Sequence, residues 1–580
     1  MAGVFFWHNS YKIKSQRVNS VFSTFEYRNG HYLEMGNWNV LVFGKKNYEI
    51  QNWAVYDNCS ICICGTFSYK GKFYDSALKI LCTDVKNYKL DLNAFWGSFL
   101  ILIYTDNQFY VIRDGAGLTR LYNYKNIVFS TSYMGLIKSL GQNLNFNRDA
   151  AVELLTTGLI SGNQTLVKEI TSINIDQKIS NFIFFESQVR QEPIPNTREE
   201  SVEQQLILIE NYFKNLEQDW HSYYPNGIFD IGMTGGMDSR LLAAIILKQT
   251  NKVVCHTHWR TRQNQDTDFK YAHIFCDATG VDIHTQKVLS PQEMTGMQLE
   301  DNFKKCYSFS DGEIRPGCYW DEAYCTSHYR SALCRPPFLR LMGFGGEQYR
   351  NQERLSLVRE KSLKSWIKWD LMYQYAVHIF TSPKAQDDIC DSIALNIKSK
   401  CGFDYMDLAA YKKYVQVFQS PSYRSLQSFL ENKLGFCINP FLDVNLSSAA
   451  LLAIPFLGKS LKFQLDLINK INPKISAIPN SYGFNFTKGE PCLLRFSAIL
   501  WQVVPSYIKY PLYTRKNKYY DSNSVFVLMD KHRFINDIIT AVRQLSLPID
   551  VNKLCRVRSR GRLVLNLGYF LLRNRDIIKI

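Results

Sequence analysis

The stretch IGMTGGMDSRLLAAIIL, Ile231 to Leu247, limits the possible folds of this chain more than any other. An apolar run ends in Thr-Gly-Gly-Met-Asp-Ser, and apolar residues then resume at helical spacing. This order reads as a strand entering a helix through a turn whose glycines let backbone approach a ligand. GIFDIGM, RLLAAIILKQ, KVVCHTH and DFKYAHIFCDATG alternate strand-like and helix-like around it. Alternation of that kind predicts a parallel sheet, which binds ligands where its strands enter helices.

A helix N-terminus supplies unpaired N–H donors and partial positive charge, which suit phosphate. Thr234 and Ser239 add hydroxyl donors, and Asp238 can hold Mg²⁺ that bridges phosphate oxygens. The turn is therefore expected to cradle a pyrophosphate and its metal. No Lys follows the glycines, and Gly-x-Gly-x-x-Gly is absent, so neither common nucleotide loop applies. The pattern [Ser/Thr]-Gly-Gly-x-Asp-Ser after a strand resembles the PP-loop of ATP pyrophosphatases, which implies cleavage of ATP between its α and β phosphates. The bland alternative, a turn that merely needs glycine, leaves the following Asp-Ser unexplained.

At 580 residues the chain exceeds one core, so two or three domains are expected. A charged fraction of 21% beside 46% hydrophobic residues excludes a disordered chain. The net charge of +16 predicts anionic partners. From Lys509 onward 15 basic residues face 5 acidic ones, densest in RVRSRGR (Arg556 to Arg562), for which a solvated basic face is the simple reading. MAGVFFWHNSYK lacks a basic leader, and no run reaches the roughly 18 apolar residues of a membrane span. Fifteen scattered cysteines fit a reducing cytoplasm. Cys59, Cys62 and Cys64 cluster in a β-like stretch without a second pair at zinc spacing, so no metal is expected there.

Residues 1–145 are rich in β-branched and aromatic runs, with IYTDNQFYVI read as a hairpin through Asp106 and Asn107. DAAVELLTTGLI has helical spacing, QEPIPNTREES (Gln191 to Ser201) reads as a linker, and helices dominate from about 355.

Beyond the loop, several stretches in the expected order resemble the asparagine synthetase superfamily. DTDFKYAHIFCDATGVDIH carries Asp268 at its acidic position, RLMGFGGEQYR resembles its second glycine-rich loop, INPFLDVNLSSAALLAIP its Pro-Phe-Leu-Asp helix entry, and KSLKFQLDLI its lysine helix with Lys462. FWGSFLILIYTD, VIRDGAGLTRLYNY and GLISGNQTLVKEITSI resemble the glutaminase domain of that family. The resemblance implies an N-terminal-nucleophile-type, β-rich sandwich over 1–190, a linker at 191–201 and a PP-loop α/β domain with parallel sheet over 202–500. A mostly helical C-terminal region and a basic extension over 501–580 follow, giving α/β and α+β together.

Two departures carry weight. Ala2 stands where the family has its nucleophilic Cys, and Cys64-Gly65-Thr66 replaces its Asn-Gly-Glu oxyanion segment, so glutamine hydrolysis is expected to be lost. In the second loop Phe344 replaces a carboxylate, which argues against plain aspartate amidation. Arg350 offers either a contact for an anionic substrate or a surface ion pair.

The implied chemistry is ATP-dependent amide formation: a carboxylate attacks the α-phosphate, an acyl-adenylate forms, and an amine displaces AMP. Asp238, Glu347 and Lys462 are the implied catalytic residues, and Asp238 and Glu347 the implied Mg²⁺ ligands. ATP would contact Met233, Thr234, Gly235, Gly236, Asp238, Ser239, Thr257 and Gly343. Expected partners are ATP, carboxylate and amine substrates (a small molecule, an anionic glycan or a peptide) and a protein supplying substrate or ammonia, in the cytoplasm, with neither nucleic acid nor a membrane span. Alternatives are amidation of a sugar acid or aspartate with ammonia, a nucleotide-binding scaffold without turnover, and a tRNA-modifying PP-loop enzyme.

Overall fold

The structure, a computed structural model, describes residues 3–173, 182–186, 192–259, 267–314, 319, 330–351, 361–372, 379–458, 460–494, 496, 500, 504 and 525–580. The chain is mixed α/β, with antiparallel sheets at its start and a parallel sheet after them. Two six-stranded sheets form the N-terminal region. The first runs Ile170–Ser172, Tyr122–Tyr124, Val128–Ser130, Gly3–His8, Trp38–Phe43, Gly30–Met35 in space. The second runs Ile183–Glu186, Gln108–Arg113, Phe95–Thr105, Cys59–Tyr69, Trp53–Tyr56, with Lys72–Phe73 added on Cys59–Tyr69. Phe6 and Trp38 of the first sheet meet Phe109 of the second at 5.9 Å between ring centres, so aromatic side chains fill the space between them. Helix Ser15–Ser23 stacks Phe22 on Phe43, and Leu78–Lys86 covers the second sheet, where Cys82 is disulfide-bonded to Cys59. That bond removes Cys59 from the cysteine cluster read in the sequence. The expected hairpin is present: Thr105 pairs Gln108, and Asp106 and Asn107 both take the positive φ that a tight two-residue turn requires.

The second region is built on five strands: β1 (Ile228–Gly232), β2 (Val253–Trp259), β3 (Asp282–Lys287), β4 (Phe338–Leu341) and β5 (Phe436–Ile438). All pair in parallel, in the spatial order β3-β2-β1-β4-β5. The chain builds outward from β1 to β3, then returns to the other side of β1 with β4. The gap between the β1 and β4 ends is thus the switch point of the sheet. Helices α1 (Arg198–Tyr223), α2 (Met237–Gln249) and α3 (Asp268–Thr279) belong to this region, and α4 (Lys462–Ile471) packs on α2. α1 opens with a capping box of Thr197 and Glu200, so the helix begins inside the stretch read as a linker.

The division at about 190 separates the sheets but not the core. One cluster of buried apolar residues runs from Phe6 and Ile101 to Ile231 and Phe463. Tyr48 donates to the Phe338 carbonyl at 2.8 Å, and Asp443 accepts from the Gly97 N–H at 2.5 Å. The described end of the chain is not a separate extension either. Helix α5 (Arg558–Asn574) buries Leu563, Val564, Leu567 and Phe570 against the N-terminal region, and Ile578 pairs in parallel with Leu144. Its apolar stripe governs its packing, and Arg560 in the basic cluster is buried beside Gly158. Ala2, Lys459 and residues 505–524 lie outside the described residues. Among the described residues no helix is long and apolar enough to cross a membrane.

Candidate active site

The loop between β1 and α2 leaves the sheet at its switch point. Gly236 is the N-cap of α2, so no side chain caps the helix, and its own N–H donates to Thr234 Oγ1 at 3.1 Å. Thr234 Oγ1 and Ser239 Oγ lie 3.0 Å apart, placing both hydroxyls at one helix entrance. The Gly235 N–H donates to Asp268 Oδ1 at 3.0 Å, from the first turn of α3. An anionic oxygen therefore already sits at this amide. From the far side, Ser481 donates N–H and hydroxyl to the Gly235 carbonyl at 3.1 and 2.8 Å. A Cβ on Gly235 would stand 2.5 Å from Ser481 Cβ, which fixes glycine here. Arg240, fully buried, donates to the carbonyls of Ile478 and Pro479 and pins this covering segment to α2.

The second glycine-rich loop follows β4 and touches the first. A Cβ on Gly343 would lie 3.1 Å from the Asp238 backbone, and one on Gly346 would lie 2.8 Å from Asp238 Oδ1. Gly345 takes φ +96°, and its N–H donates to Glu347 Oε2 at 2.9 Å. Asp238 and Glu347, separated by more than one hundred positions in sequence, thereby share one site.

Each carboxylate is held by an arginine. Arg350 donates to Asp238 at 2.6 and 3.1 Å, Gln464 donates to Asp238 Oδ1 at 2.8 Å, and Arg350 also donates to Gln464 Oε1 at 2.5 Å. Arg424 pairs with Glu347 at 2.6 Å. Lys412 donates to the carbonyls of Glu347, Gln348 and Arg350 at 2.9, 3.2 and 2.8 Å. Burial, with the Glu347 charge nearby, raises the Asp238 carboxyl above its usual range despite Arg350. Burial pushes Glu347 the same way, but Arg424 and Arg350 together bring it below the ordinary value. Burial pushes Lys412 down to about 7. Arg350, Arg424 and Lys412 thus surround the Asp238 and Glu347 carboxylates, and Asp268 brings a third carboxylate to the Gly235 amide.

Beneath the loops, Arg340 of β4 donates to Asp230 of β1 at 2.8 Å and pairs with Glu431, while His256 of β2 contacts Asp230 at 2.8 Å. This buried network ties the strands whose ends carry the site. Nothing in the local sequence around Asp230 announces it.

Thr234, Gly235, Gly236, Asp238, Ser239, Gly343 and Glu347 lie together where the two loops meet, and Met233 is buried with its N–H on the His256 carbonyl. Thr257 is buried near the carboxyl end of β2, next to β1. Lys462 is exposed at the first position of α4. Two residues along a helix turn the side chain by about 200°, so Gln464, not Lys462, faces Asp238. Arg350, buried, holds the Asp238 carboxylate rather than a surface partner. Arg424, Lys412, Gln464 and Ser481 were not legible, because distant segments bring them in.

Mg²⁺ fits the donor chemistry, since it takes one or two carboxylates and completes its shell with phosphate oxygens and water. Among the described residues no group of three or more His, Cys, Asp or Glu could hold a metal alone. Substrate oxygens are thus needed to complete any Mg²⁺ shell, with the arginines giving up part of their hold.

The region where Asn-Gly-Glu would stand is closed. Lys45, buried, donates to the Gly435 carbonyl at 2.7 Å and to Asn432 Oδ1 at 3.0 Å, and Thr66 donates to the same Asn432 oxygen at 2.5 Å. The void lined by Cys64, Gly65, Ser98 and Asn432 measures about 10 Å³, room for one water at most.

No family model matches the chain, and no curated protein matches it.

Proposed function

We propose that the chain is an ATP-dependent amide synthetase that activates a carboxylate, releases AMP and pyrophosphate, and has no glutaminase activity of its own. The carrying observation is the contact of two glycine-rich loops at the switch point, which brings Asp238 and Glu347 together under Arg350, Arg424 and Lys412. In this reading the α2 entrance, with Thr234 and Ser239, binds the phosphates, and Asp238 and Glu347 would hold Mg²⁺. The metal would neutralise charge on the phosphate oxygens during transfer. Arg350 and Arg424 orient the two carboxylates and are positioned to meet a departing pyrophosphate. The N-terminal region would be a degenerate glutaminase of the N-terminal-nucleophile type. The closed void beside Gly65 supports that, and it favours ammonia from outside or an amine carried by the substrate. ATP–pyrophosphate exchange in the presence of candidate carboxylates, with Asp238→Ala as control, tests the reading. Exchange that is insensitive to Asp238 would refute it.

One observation favours the rival, a nucleotide-binding scaffold without turnover: both carboxylates are already held, Asp238 by Arg350 and Glu347 by Arg424 and the Gly345 N–H. That reading expects ATP to bind without Mg²⁺-dependent consumption.

A further inference from the structure

Two of the three carboxylates at this site have their charge met in place: Asp238 is paired with Arg350 and Glu347 with Arg424. Asp268 differs. Among the described residues no lysine, arginine or histidine is paired with it. It stands at the first position of α3 and is exposed, and a helix N-terminus favours an acid there. That position explains why a carboxylate is stable, but not where it reaches. Oδ1 accepts from the N–H of Gly235, 33 positions earlier, in the turn that enters α2.

The turn is held from a second direction as well. Ser481 donates N–H and hydroxyl to the Gly235 carbonyl, and a Cβ on Gly235 would collide with the Ser481 side chain. The backbone on both sides of the Gly235 Cα is therefore fixed, with its N–H directed at an anionic oxygen. Tyr482, half-buried and next in that covering segment, lies close enough to Arg350, Asp238 and Asp268 for each charge to act on its phenol. Asp268 thus belongs to the same pocket as the arginine-held carboxylates and is its exposed member.

We propose that Asp268 is a specificity residue of this pocket: its carboxylate takes the place of a phosphate oxygen on the Gly235 amide, and its charge disfavours free polyphosphate against polyphosphate that carries Mg²⁺. This role rests on the phosphate reading of the α2 entrance. An anion arriving alone meets a like charge at the amide it needs and has to displace it. Polyphosphate with its metal carries less net charge and meets less of that repulsion. Discrimination then comes from a penalty on the wrong ligand rather than from an added contact with the right one. One like charge at contact distance in a water-exposed setting is worth about fivefold in affinity.

The test uses the full chain and inorganic pyrophosphate, by titration calorimetry in EDTA and in excess Mg²⁺. Asp268→Asn keeps an acceptor for the Gly235 N–H and removes only the charge. Asp277→Asn, exposed toward the other end of α3, makes the same change in net charge away from the pocket. The wild type binds pyrophosphate more tightly with Mg²⁺ than without. Asp268→Asn tightens metal-free binding about fivefold and leaves binding in Mg²⁺ within about twofold of wild type, so the metal dependence narrows. Asp277→Asn changes neither, and all three proteins melt alike. Unchanged or weaker metal-free binding in Asp268→Asn, loss of its binding in Mg²⁺, or an equal gain in Asp277→Asn would overturn the proposal while leaving the phosphate reading in place. Absence of pyrophosphate binding in all three proteins would overturn the phosphate reading and the proposal with it.

Discussion

Two glycine-dependent regions of this molecule use the same residue type to opposite ends. Around Gly65 and Gly97 the backbones of neighbouring strands press together: a Cβ on either would stand 2.0 and 2.2 Å from a facing carbonyl oxygen. Lys45, Thr66 and Asn432 then fill the remaining space. Around Gly235, Gly343 and Gly346 the close neighbours are a serine and Asp238, and three hydroxyls, three carboxylates and three cations gather there. Glycine closes the first region and, in the proposed reading, assembles the second for a ligand.

The difference can be broken most forcefully at Gly65. It has φ +96°, and its virtual Cβ meets backbone, so Gly65→Ala is expected to cost at least about 3 kcal/mol. Denaturant unfolding would show a lower midpoint whether or not nucleotide is present. Gly346→Ala should do the reverse. Its clash is with the Asp238 side chain, so stability falls by about 1 kcal/mol while nucleotide turnover drops about a hundredfold, read by AMP release.

Protonation sharpens the comparison. Lys412 sheds its proton in the folded chain near 7, whereas the unfolded chain keeps it to the ordinary lysine range. Between those values the unfolded state binds more protons, so stability rises with pH, by up to about 1.4 kcal/mol per unit from this group. In the proposed reading the same loss of charge weakens phosphate binding. From pH 7 to 9 the melting temperature should therefore rise more steeply in the wild type than in Lys412→Met, while ATP affinity falls only in the wild type.

The smallest expected effect is none. Ala2→Cys puts a thiol at position 2, yet the space beside Gly65 has room for one water at most, so glutamate release from glutamine should stay at background. Measurable glutaminase activity in that variant would contradict the sealed reading of this face.

What could be read from sequence follows from how local each feature is. The strand, loop and helix from Ile228 to Gln249 were legible because strand, turn and helix signals lie within about twenty residues. The hairpin at Asp106 and Asn107 was legible for the same reason. Strand β5, three residues long, carries too little pattern to be seen, although it sits directly before the Pro-Phe-Leu segment. Charge alone makes the end of the chain read as a basic extension; the apolar stripe of α5 is what docks it. Charge and motif spacing point to Lys462, while the geometry of α4 turns Gln464 to the site. Arg424 comes from a π-helical segment 77 positions from Glu347, a pairing no local pattern encodes.

The most direct measurement is conversion of Mg-ATP to AMP and pyrophosphate by the purified chain, followed by mass spectrometry with fractionated cell extract as substrate source. The account predicts AMP and pyrophosphate in equal amounts, dependent on an added fraction and lost in Asp238→Ala. ATP that binds and stays intact with every fraction, or that is consumed equally by Asp238→Ala, would contradict it.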